Sequence, residues 1–153
     1  MWKELKTNKR YNLNELQKII KKLRDPIEGC AWDINQTSKT LSPQIIEEAY
    51  ELVEAIEGEK KENIIDELGD LLLQIIFQCQ IANEQMSFKF EDIVDNASKK
   101  MIRRHPHIFS AKKENRTIEE QKLYWEKIKK KERQEKGEKT SPFSKFNKFQ
   151  PSI

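Results

Sequence analysis

The chain has 153 residues, 36% charged and 36% hydrophobic, with four Gly, two Cys and a formal net charge of +3. That length suits one domain burying roughly 68–70% of its unfolded surface, and the apolar run Leu71–Phe77 excludes a fully disordered chain. No stretch reaches the roughly 18–20 apolar residues of a membrane span, Met1-Trp2-Lys3-Glu4 begins no signal peptide, and two Cys make neither a disulfide framework nor a zinc knuckle. A soluble, cytoplasmic protein with free thiols is therefore expected. The charge is divided: Met1–Ser98 holds 12 Lys and Arg against 19 Asp and Glu, whereas Lys99–Ile153 holds 17 against 7.

Helical periods dominate and alternating Val/Thr/Tyr segments are scarce, so the expected fold class is all-α. A first helix is predicted from Leu13 to Arg24, with Asn12 as N-cap, Glu15 three residues on, and an end imposed by Asp25-Pro26. Ile27–Leu41 has no period and reads as a long ordered loop. Ser42-Pro43 then opens a second helix, Ser42 capping and Pro43 in the first turn, with Ile45, Ala49, Leu52, Val53 and Ile56 inward and a stop at Gly58.

A third helix, Glu62–Glu84, is apolar nearly all round at Leu71–Phe77, the pattern of a central buried helix. A fourth follows Ser87, with Phe88, Phe90, Ile93, Val94, Ala97, Met101 and Ile102 inward, and ends at His105-Pro106. Thr117-Ile118-Glu119-Glu120 is a capping box for a last helix reaching about Lys136. Three segments result: a helical domain over 1–110, a charged helix over 111–136 and a basic tail over 137–153. Lys and Glu alternate in the C-terminal helix without a series of base-stacking aromatics, so nucleic acid is not an expected partner.

The chemistry lies in Glu47, Glu48 and Glu51, then Glu67 and Asp70. Glu48 and Glu51 are three apart, as are Glu67 and Asp70, so each pair shares a helix face. Antiparallel packing would bring four carboxylates together at the entry to the most apolar helix, and buried ionised carboxylates need a positive partner. An all-oxygen set without His or Cys suits Mg²⁺ or Mn²⁺ better than zinc. An ordinary solvated acidic face remains open for Glu47, Glu48, Glu51, Glu54 and Glu57. Gly69 would admit a close neighbour. Trp32 and Gln36 could stack on and hydrogen-bond a base, although Trp32 could equally be a core aromatic. His105 and His107, separated by Pro106, read as a helix cap or phosphate contact rather than a metal pair.

Leu23-Arg24-Asp25-Pro26, Gly29-Cys30-Ala31-Trp32-Asp33, Gln36-Thr37, Glu47-Glu48-x-x-Glu51, Glu67-Leu68-Gly69-Asp70 and Arg103-Arg104-His105-Pro106-His107-Ile108-Phe109 together resemble the MazG family of nucleoside triphosphate pyrophosphohydrolases. The resemblance covers about Leu13 to Lys136 and is to the first of the two domains of long family members. It departs at Ala31, where Pro is usual, and at Ser38, where His is frequent. It implies an all-α bundle whose four-helix core is completed by dimerisation, and Mg²⁺-dependent conversion of nucleoside triphosphates to monophosphate and pyrophosphate in nucleotide-pool housecleaning. It further implies Glu48, Glu51, Glu67 and Asp70 as metal ligands, Glu47 or Glu51 as base, and Lys100 and Arg104 as catalytic phosphate-binding residues with Arg103 beside them. The alternative is a non-catalytic helical dimer that binds nucleotide or a protein partner.

Overall fold

The computed structural model describes residues 10–110, 115–135 and 137, and among these every regular element is a helix. The expected basic tail, Gly137 apart, lies outside the described residues. Two compact units, Met1–Val94 and Asp95–Ile153, divide the chain.

In the first unit, α1 (Leu13–Leu23) begins as its sequence predicts: the Asn12 side chain accepts from the Glu15 N–H at 3.1 Å and Glu15 returns a bond to the Asn12 N–H at 3.0 Å. After α1 the chain doubles back tightly. The Asp25 carboxylate accepts from the amides of Ile27 and Glu28, and Cys30 N–H bonds to the Leu23 carbonyl. Only glycine fits at position 29, because a Cβ there would lie 2.4 Å from both the Leu23 and the Asp25 carbonyl oxygens.

The expected long loop is largely helical. A single turn, α2 (Ala31–Ile34), occupies its centre, and α3 (Ser38–Glu57) starts at Thr37, whose side chain caps the Thr40 amide, rather than at Ser42. Pro43 is therefore inside α3. A residue with an N–H at 43 would bond to the Lys39 carbonyl; Pro43 has none, and the Ser42 hydroxyl donates to that oxygen instead at 2.9 Å. The local dipeptide was legible but its role was not, since the stronger cap lies five residues upstream.

Residues 58–60 turn the chain into α4 (Lys61–Glu84). α3 and α4 run antiparallel: the Gln74 amide faces Gln44, and the Gln78 amide donates to the Ser38 carbonyl at 3.3 Å. α1 packs against α4 as well. Ile20, Leu41, Ile76 and Ile81 are the most deeply buried large side chains, joined by Cys79, Ala55 and Ala82. Each such aliphatic side chain contributes roughly 1.5–3 kcal/mol on leaving water.

Three expectations about faces change. Along α3 the half-buried or buried stripe is Leu41, Ile45, Glu48, Leu52 and Ala55, whereas Val53 and Ile56 are exposed together with Ile46 and Tyr50. α4 is not enclosed all round, because Ile65, Leu68 and Ile75 remain open. Both helices are apolar on more than one side, so periodicity alone could not tell which stripe packs within this chain. α5 (Phe90–Arg104) has no buried residue, and Ile93, Val94, Met101 and Ile102 are exposed rather than inward.

In the second unit, α5 is followed by the single turn α6 (Pro106–Phe109) and by α7 (Ile118–Glu135). Its Thr117–Glu120 capping box forms as expected, with bonds of 2.8 and 3.2 Å. His105 ends α5, its Nδ1 lying 2.7 Å from the Met101 carbonyl oxygen.

Candidate metal centre and the loop beside it

The stripe that presents α3 to α4 carries Glu48 among aliphatic neighbours, and the antiparallel pairing sets it opposite the start of the apolar run of α4. Carboxylate oxygens of Glu48, Glu67 and Asp70 lie within 4.8 Å of one another, all three residues being half-buried. One oxygen of Glu67, Oε2, is buried without a hydrogen-bond partner. Burial, followed by the charges of Asp70, Glu51, Glu67 and Glu47, pushes the Glu48 carboxyl above its usual value. Glu67 is raised likewise, by burial and then by Glu51, Asp70 and Asp66. Glu51 stands just outside the tight group and adds to its negative field, and Glu47 is exposed on the flank.

Converging carboxylates, one with an orphaned oxygen, fit a hard divalent cation. Gly69 between them is not required by packing, since a Cβ there meets nothing within 4 Å.

A loop braced from below sits beside this cluster. Buried Arg24 donates through Nε and Nη2 to the Glu84 carboxylate at 2.7–3.2 Å, and through Nη1 to the carbonyls of Asp33 and Gln36. Arg24, in return, holds the Glu84 carboxyl below its ordinary value. Trp32 is 55% exposed. Gln36 spends its side chain inside the loop, donating to the Trp32 carbonyl at 3.0 Å and accepting from the Thr40 hydroxyl at 2.8 Å. Arg24 and Glu84 are 60 residues apart, so no local signal in the sequence could have paired them.

In the second unit Lys100 is half-buried, and Arg103 and Arg104 both bind the carboxylate of Glu132 from α7. The two guanidiniums, Arg104 first, bring the Glu132 carboxyl down from 4.5 to about 2. Glu132 therefore adds stability above the ordinary carboxylate range, and loses it as pH falls towards about 2. Glu132→Gln should cost about 1–2 kcal/mol at pH 7, allowing for the solvent that reaches Arg103. Chemical denaturation at pH 7 and near pH 2 checks this, because the gap from wild type should close at the acid end; an unchanged gap contradicts it. Trp125 was also missed in the sequence. Its indole Nε1 is buried without a partner, and the ring packs edge-on against His105 with the Lys129 ammonium 5.4 Å from its centroid.

The profile of the MazG nucleotide pyrophosphohydrolase domain matches residues 36–109. The chain is 50% identical over 95 residues to the nucleoside triphosphate pyrophosphohydrolase/pyrophosphatase MazG of Thermotoga maritima, which covers 62% of this chain and 37% of the relative. It is 43% identical over 122 residues to the nucleoside triphosphate pyrophosphohydrolase of Escherichia coli K12, covering 79% and 46%. It thus spans less than half the length of either relative. The crystal structure of a MazG-related protein from Thermotoga maritima superposes with a TM-score of 0.62 at 25% identity, over 77% of this chain and 99% of that one.

Proposed function

Because the chain belongs to the MazG family of nucleotide pyrophosphohydrolase domains, we propose that it is a Mg²⁺-dependent enzyme cleaving nucleoside triphosphates to monophosphate and pyrophosphate. Mn²⁺ is the expected substitute, and the proposed setting is housecleaning of the cytoplasmic nucleotide pool. The observation that carries the reading is the meeting of Glu48, Glu67 and Asp70 within 4.8 Å, with a buried Glu67 oxygen left unpartnered. A triphosphate would be repelled by such a cluster on its own. A divalent ion bound there supplies the neutralising charge and the acidity that turns water into a nucleophile.

The chain's own residues are assigned the remaining tasks. Glu48, Glu67 and Asp70 hold the ion, with Glu51 as the fourth carboxylate. Glu47 or Glu51 takes the proton of the attacking water, the bond linking the α and β phosphates breaks, and pyrophosphate leaves. Lys100, Arg103 and Arg104 bind phosphate oxygens, and Glu132 keeps the two guanidiniums oriented. Trp32 offers a face on which a base can stack.

The test is to incubate the protein with each triphosphate and Mg²⁺ and to assay pyrophosphate and monophosphate. An ion at about 100 times its dissociation constant should also stabilise the fold by about 2.7 kcal/mol, or roughly 5–10 °C in unfolding midpoint, reversed by EDTA. No hydrolysis and no shift would leave the non-catalytic binding reading in its place.

A homodimer, or a higher oligomer, is proposed as well. Ile46, Tyr50 and Val53 on α3, and Ile65, Leu68 and Ile75 on α4, are open to solvent, and a shared apolar face of this kind suits burial against a second copy of the chain. Light scattering should return at least twice the chain mass, and a monomer at micromolar concentration would remove this part.

A further inference from the structure

Next to the carboxylates, the first four helices enclose a cleft of about 370 Å³ walled by apolar side chains such as Leu16, Ile19 and Phe77, with Trp32 and Asp70 on its lining. Asp33 and Gln74 also line it, and both residues are largely buried. Asp33 is 8% exposed, and its carboxylate takes no hydrogen bond among the described residues. Gln74 is 9% exposed; its amide N–H reaches Gln44 only at 3.4 Å, and its Oε1 has no partner. Buried polar groups are almost always paired, so the orphaned Gln74 oxygen, with a carboxylate free of hydrogen bonds beside it on one apolar cleft, points to a ligand that pairs them.

We propose that this cleft receives the nucleobase and that Asp33 and Gln74 select a guanine edge. The proposal rests on the pyrophosphohydrolase reading and names its preferred substrate class. An ionised carboxylate only accepts hydrogen bonds, and its two oxygens match two adjacent donors, as they match a guanidinium. Guanine presents such a pair in its N1–H and 2-amino group, and the Gln74 oxygen offers a further acceptor. Hypoxanthine lacks the amino group, and uracil and thymine flank their single N–H with carbonyls that a carboxylate repels. Trp32 supplies a stacking surface for any base, while the Arg24 bond to the Asp33 carbonyl fixes α2 beneath it.

The decisive comparison is GTP against ITP, which differ only in the 2-amino group. Wild type should favour GTP about tenfold to a hundredfold in kcat/KM, mainly through KM. Asp33→Asn, which replaces an acceptor by a donor, should bring the ratio near one, chiefly by raising KM for GTP. A ratio near one in wild type overturns the proposal without recourse to any variant, as does a ratio that survives in folded Asp33→Asn. Calorimetric binding of the α,β-methylene analogues of GTP and ITP separates the two readings. Preference for the guanine analogue with no triphosphate cleaved upholds the cleft and discards hydrolysis, whereas hydrolysis without base preference does the reverse.

Discussion

Glu67→Gln is expected to lower triphosphate hydrolysis about a thousandfold, the scale seen when one charge-stabilising group is removed from a preorganised site. The amide keeps the size of the side chain but cannot carry the charge that holds a cation. Stability should move the other way or stay level in the absence of divalent ion, because Glu67 sits where burial and then Glu51, Asp70 and Asp66 all oppose its ionisation. The fold should therefore survive while the ion-induced rise in unfolding midpoint disappears. Pyrophosphate release and melts with and without Mg²⁺ measure both; turnover near the wild-type rate would remove Glu67 from the site.

Arg24→Ala should be the most damaging single change to the fold of the first unit. The guanidinium side chain is 6% exposed and serves Glu84 together with two backbone carbonyls, so truncation strands an acid and two acceptors. Removing one partner of a buried pair costs roughly 3–5 kcal/mol; because Glu84 is still 35% exposed, the lower end, about 3 kcal/mol, is expected. For a chain of this length that corresponds to a drop of roughly 6–12 °C. Glu84→Gln, which leaves the hydrogen bonds possible, should cost less. The difference between the variants should narrow as pH falls through the lowered Glu84 value, since protonation removes the charge that Arg24 stabilises. Equal melting of Arg24→Ala and wild type would show that the brace is dispensable.

Much of this architecture could be read from the chain alone. Asn12 with Glu15, Thr117 with Glu120, and Gly58 mark helix ends by local hydrogen bonds that involve no distant residue, and they occur where expected. The spacing within Glu48/Glu51 and Glu67/Asp70 was legible for the same reason. Which of the four carboxylates form the tight group was not, because that depends on the roll of α3 against α4. The turn at Ala31–Ile34 was hidden by its shortness, and the early start of α3 by a proline that ordinarily marks a first turn. Nothing local in the sequence showed what Asp33, Arg24 and Glu84 contact. Gln74 left a trace, as the polar residue interrupting Leu71–Phe77.

The connection from α3 to α4 needs only residues 58–60, so the contacts between these helices are short-range in the chain. Such a hairpin can zip outward from its turn at little loop-closure cost, which favours rapid folding. Zipping brings Glu48 towards Glu67 and Asp70 before Gln44 reaches Gln74. Like charges thus meet midway along the hairpin, where a divalent cation would offset the repulsion that opposes its closing.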